Sequence, residues 1–160
     1  MSGSDDDVDR LVAAASRALA NTRYCWLATP SAAGAVNARP MGRTPQGADD
    51  DWIVRFVTDP RSRKVAEIGL SGRVAAMIVQ RDAEDAYLSL LGAAVVLPRG
   101  CEDAWLWRDI AGDGEERRAA LIEVRVDRME LWMRGVTPEP FGFCPTALAR
   151  DGAGAWRQVD

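Results

Sequence analysis

At 160 residues the chain fits one domain covering 1–160, and a hydrophobic share of 48% is enough for a core. A net charge of −4 argues against a nucleic-acid partner, and no apolar run approaches the roughly 20 residues a membrane helix needs. Histidine is absent, which excludes His-dependent hydrolytic triads and haem on a proximal histidine; Cys25, Cys101 and Cys144 lack metal-site spacing.

Asp5, Asp6, Asp7 and Asp9 give the chain an acidic start, unlike the basic opening of a secretory signal, so a cytoplasmic protein is expected. Behind them Val8, Leu11, Val12, Ala15 and Leu19 recur at helical spacing, predicting an amphipathic helix over 7–21 within an N-terminal segment 1–22. A strand over 24–29, a turn at 30–34 and a returning strand over 36–41 follow, with Pro40 marking an edge or strand end. A loop with Gly42, Pro45, Gly47 and a solvated acidic run, Asp49 to Asp51, leads into a strand over 52–58.

Asp59-Pro60 breaks that strand, and 61–70 reads as a helix with Val65 and Ile68 inward. Residues 73–80 and 86–96 form a hairpin across the polar turn 81–85, followed by a short helix at 102–108 and a turn at 112–114. A last hairpin is predicted from 119–126 and 129–133. The tail, 134–160, carries Pro138, Pro140 and Pro145 and is expected to wrap the surface, with a short strand near Trp156. Trp26, Trp52, Trp132 and Trp156 read as core or dimer packing, and Cys25 as an inert buried thiol. Short strands joined by turns, with few and short helices, predict a mainly β fold closed into a single β-barrel.

The informative stretch runs from Phe56-Val57-Thr58 through Asp59-Pro60 to Ser62-Arg63-Lys64. A helix N-terminus presents unpaired N–H groups and the positive end of a dipole, which favour an anion. Cations at that position oppose the dipole unless an anion binds there. Arg63 offers bidentate phosphate contact and Lys64 a compact point charge. Of the 20 basic residues Lys64 alone is lysine, which fits a place that wants an ammonium. The same residues also read as a solvated basic turn with Ser62 as helix cap. Neither a Walker loop nor a Gly-x-Gly-x-x-Gly stretch occurs.

Ala38-Arg39-Pro40-Met41, Phe56-Val57-Thr58, Ser62-Arg63-Lys64-Val65-Ala66-Glu67-Ile68 and Arg73-Val74-Ala75 through Gln80 stand in an order that resembles the FMN-binding split-barrel family. The similarity is to the general-stress-protein branch of pyridoxamine 5′-phosphate oxidase-like proteins, and covers 24–96, with a weaker continuation at Leu131-Trp132. The resemblance implies that Ser62, Arg63 and Lys64 hold the FMN phosphate. It implies that Arg39, Pro40 and Met41 lie against the isoalloxazine, Arg39 reaching the ribityl-phosphate side or the pyrimidine edge. Val57 and Thr58 would contact the ring and Gln80 would hydrogen-bond to it. Trp107 is the candidate contact from the partner subunit of a homodimer holding its flavins between subunits.

The implied activity is hydride transfer between flavin and NAD(P)H or a small-molecule substrate, with no catalytic side chain singled out. A non-catalytic flavin-binding stress or sensor protein and a deazaflavin-binding split barrel remain the alternatives. Oxidation of pyridoxamine phosphate is not expected, because the histidine of the Arg/His substrate clamp has no counterpart here.

Overall fold

The computed structural model describes residues 5–44, 52–70, 74–97 and 119–159. Helix α1 (Asp5–Ala20) opens with Asp5, Asp6 and Asp7 and has Arg17 in its last turn, both favourable to the helix dipole. Its Val8, Leu11, Ala15 and Leu19 are buried against the sheet, as the helical spacing predicts.

Strands β1 (Tyr24–Pro30) and β2 (Val36–Gly42) make the first hairpin, turning through Gly34 at φ 82°, a backbone region that favours glycine. β3 (Ile53–Thr58) is followed by α2 (Arg63–Leu70), then β4 (Val74–Arg81) and β5 (Ala86–Leu97) pair across a 3-10 turn at Asp82–Glu84. β6 (Ala120–Met133), β7 (Thr146–Arg150) and β8 (Trp156–Val159) complete an eight-stranded antiparallel sheet ordered β2-β1-β4-β5-β6-β7-β8, with β3 on β6. Leu27, Phe56, Met77, Leu90, Ile122 and Leu131 are fully buried at its centre.

Three expectations need correction. The hairpin predicted over 119–126 and 129–133 is one continuous strand, β6, paired with β5 along its length. What reads as a turn at Asp127-Arg128 is a bulge: Leu91 faces Arg128 while Gly92 faces Val126, so Asp127 is extra. The bulge shifts the alternation by one residue, leaving Val126 and Met129 both buried.

The tail is more than a surface wrap. β7 pairs with β6, its Leu148 is fully buried, and β8 near Trp156 pairs with β7. Trp156 stacks edge-on against buried Trp52 at 5.5 Å, whereas Trp26 points outward at 44% exposure.

The barrel is not closed by a ladder. β2 and β3 meet at the single bridge Arg43↔Phe56, beside which the Thr44 N–H donates to the Arg55 carbonyl. Only Val57 and Thr58 remain of β3 beyond Phe56, so most of β2 has no partner on that side. The result is a split barrel. The helix predicted at 102–108, the turn at 112–114 and the Asp49–Asp51 run lie outside the described residues.

Candidate functional site

The split lies beside Arg39 and Met41 of β2, Val57 and Thr58 of β3, and Ser62, Arg63 and Lys64 at the start of α2. Continuing the antiparallel register of the Arg43↔Phe56 bridge would set Met41 opposite Thr58, yet no ladder forms there. β3 gives way at Asp59-Pro60 to α2, whose first residues are Arg63 and Lys64. Ser62 caps that helix, its carbonyl accepting from the Val65 and Ala66 N–H groups at 3.1 and 3.4 Å. Its hydroxyl lies 3.4 Å from that of Thr58. No acidic residue stands in the first turn of α2 to answer the dipole.

Alternation along β2 sends Asn37, Arg39 and Met41 inward, opposite Thr29, Leu27 and Cys25 of β1, while Ala38 and Pro40 face out. Met41 therefore packs on the core, and Pro40 lies beside Trp26 on the outer face. The inward polar pair meets Glu67 of α2, a carboxylate only 4% exposed. Glu67 accepts from the Thr29 hydroxyl and the Asn37 amide, both at 2.5 Å, and from the Arg39 guanidinium at 3.2 Å. Arg63, one helical turn earlier, contributes a longer ion pair at 3.5 Å.

Arg39 is fixed further by donating to the Thr29 hydroxyl at 2.6 Å and the Leu27 carbonyl at 3.3 Å. The Thr29 hydroxyl, followed by the other bonds, holds the Glu67 carboxyl below the usual carboxylate range despite burial. Lys64 is half-buried and has no hydrogen-bond or ion-pair partner among the described residues. Burial first, and then the neighbouring Arg39 charge, pull its ammonium below the usual lysine range. Asp59 offsets this only in part; its carboxylate is engaged by Arg61 at 2.7 Å.

Glu67 thus pairs with two cations, Arg39 and Arg63, and a third, Lys64, lies beside Arg39 with Asp59 as a partial offset. This arrangement fits a phosphate dianion: a helix start, a hydroxyl, and uncompensated cations of which one is partly desolvated.

Val57 and Thr58 stand at the end of β3 beside this cluster, with Val57 packed on Leu121. Gln80 is farther along the sheet, exposed on β4, where its amide donates to Asp82 at 3.0 Å. Trp107 lies outside the described residues. Thr29, Asn37 and Glu67 were missed as members of the site. The period of two along β2 carries the signal for Asn37: it turns Asn37 and Arg39 to the inside, where a guanidinium requires an anion. Cys25 is a buried free thiol, as expected, and burial pushes it up to about 11.

The pyridoxamine 5′-phosphate oxidase family model matches residues 11–133. No curated protein is similar enough in sequence to match. Among solved structures, a pyridoxamine 5′-phosphate oxidase-related, FMN binding protein from Nostoc punctiforme is 14% identical, covering 95% of each chain at a TM-score of 0.64. A Clostridium acetobutylicum protein related to general stress protein 26 is 14% identical, covering 79% of this chain and 90% of its own at 0.67. PhzG from Burkholderia lata, in complex with tetrahydrophenazine-1-carboxylic acid, is 20% identical over 95% of this chain and 89% of its own, also at 0.67.

Proposed function

The chain belongs to the pyridoxamine 5′-phosphate oxidase family, and from that premise we propose that it binds FMN as a cytoplasmic, homodimeric oxidoreductase. The observation that carries the proposal is the ammonium of Lys64, beside Arg39 at the start of α2 and without a hydrogen-bond or ion-pair partner among the described residues. An anion bound there would relieve both the desolvation and the mutual repulsion.

Lys64, Arg63 and the Ser62 hydroxyl would hold the phosphate, with Arg39 presented from β2 on the other side of the split. When bound, FMN supplies the redox chemistry, exchanging hydride with NAD(P)H or a small acceptor. The chain's own task is to bind, orient and shield, which histidine is not needed for. Arg63 presents a side chain that is 75% exposed, with only a 3.5 Å ion pair to Glu67, whereas Arg39 is held by several hydrogen bonds.

The outer face of the sheet supports a homodimer. Register puts Trp26 next to Pro40 on one side and Ile78 on the other, and Ala28 between Ala38 and Ala76. Tyr24, Trp26, Val36, Val74 and Ile78 extend this patch at 42–71% exposure. A contiguous apolar face of this kind suits a self-complementary two-fold contact better than water. Gln80 lies on the same face, so a flavin held between subunits would have it within the interface. Among the described residues no helix is long and apolar enough to cross a membrane.

Replacing Lys64 or Arg63 with Ala and titrating FMN by fluorescence quenching tests the clamp. Losing one charge-assisted phosphate contact should weaken binding roughly 10- to 100-fold; unchanged affinity removes the basis of the proposal. The absorption spectrum of the cofactor released from purified protein separates FMN from a deazaflavin. Anaerobic reduction by NADH or NADPH separates an oxidoreductase from a binding module.

A further inference from the structure

We propose that Glu67 is a positioning residue for the phosphate pocket: it acts through Arg39, fixing the guanidinium so that the pocket discriminates a phosphorylated flavin from its dephosphorylated form. This rests on the FMN proposal above.

Glu67 is the point where three elements are tied together. From α2 its carboxylate takes the Thr29 hydroxyl of β1 and the Asn37 amide and Arg39 guanidinium of β2. Thr29 is fully buried, so its hydroxyl has no water to turn to without Glu67, while Asn37 and Arg39 are partly buried and would recover only part of the lost bonding from solvent. Arg39 spends one terminal nitrogen on Thr29 and Leu27 and the other on Glu67, leaving its rotamer no freedom. A guanidinium so fixed binds an oxyanion without first losing side-chain entropy, which is where preorganised sites gain affinity.

Two effects of removing the carboxylate compete. Loss of a negative charge near the pocket favours an incoming dianion, while release of Arg39 disfavours it. Glu67 is already neutralised through direct contacts with Arg39 and Arg63, so its charge reaches the pocket strongly reduced. Positioning should therefore win.

The test uses the full-length protein with FMN and riboflavin as the two probes, titrated by fluorescence quenching. In Glu67→Gln the preference for FMN over riboflavin should fall about 5- to 30-fold, with riboflavin affinity kept within about twofold. Retained riboflavin binding also reports a folded site, which a merely structural loss would not leave intact. In an Arg39→Ala background Glu67→Gln should no longer change the preference, because the residue through which it acts is gone.

An unaltered or increased FMN preference in Glu67→Gln overturns the proposal. So does an equal loss for both flavins, or an undiminished effect in the Arg39→Ala background. A wild-type protein without FMN preference would instead overturn the phosphate clamp itself, an outcome distinguishable because it needs no variant.

Discussion

Gly92→Ala should be among the most damaging single-methyl additions this chain can receive. A Cβ built at Gly92 would lie 1.9 Å from the Arg125 carbonyl oxygen, 2.6 Å from its carbon and 2.9 Å from the Val126 Cα. All three atoms are backbone of the adjoining strand, so no side chain can swing aside. Reaching an ordinary contact of about 3.2 Å requires β5 and β6 to part by more than about 1 Å, enough to break ladder bonds of normal length. Two buried backbone groups left unpaired cost about 1–3 kcal/mol each, so about 2–6 kcal/mol is expected. The opposing gain, reduced freedom of the unfolded chain, is only about 0.4–1 kcal/mol. For a domain of this size the melting temperature should fall by about 4–24 °C, measured by thermal unfolding with a urea titration alongside. A loss under about 1 kcal/mol would mean that the bulge at Leu91/Gly92 is not as close-packed as described.

Other outcomes follow from the site and the outer face. The Glu67 carboxyl titrates below its unfolded value, so its stabilisation is full above about pH 4.3 and drains away as the pH falls through the folded pKa. Urea midpoints between about pH 5 and 3 should accordingly drop more steeply in wild type than in Glu67→Gln, and parallel curves would contradict this. Lys64 titrates below the usual lysine range, so FMN binding should weaken as the pH rises through that pKa. Lys64→Arg should move this alkaline loss to higher pH in the same fluorescence titration. Trp26→Glu places a charge at the centre of the exposed apolar face and should convert a dimer to monomer by light scattering; a dimer that persists would place the contact elsewhere.

Much of the fold was legible because its elements are marked locally. The aspartates ahead of α1, the turn at Gly34 and the break at Asp59-Pro60 each carry a backbone requirement that a short window reveals. What failed depends on partners remote in sequence. Asp127-Arg128 is polar like a turn, and only the register against Leu91 and Gly92 makes it a bulge. β7, Thr146–Arg150, has too little β-branched character to announce itself and is a strand because it completes the edge of β6. Closure has the same origin: strand count alone suggests a closed barrel, the resemblance implies a split one, and the brevity of β3 decides that it stays split.

The site divides along the same line. Ser62, Arg63 and Lys64 are adjacent in sequence, and their misfit with the helix dipole is visible there. Arg39 was recognised through resemblance, while its anchors could not be, since Thr29 and Glu67 are 38 residues apart. A polar pair alternating inward on β2 is the trace they leave.

The most direct measurement is the affinity of the wild-type protein for FMN set against riboflavin, which differ only in the phosphate. Binding of FMN at least about 30-fold tighter, with the difference largely lost in Lys64→Ala, is what a cation cluster at the strand-to-helix junction predicts. Equal affinity for the two flavins, or a preference untouched by Lys64→Ala, would contradict it.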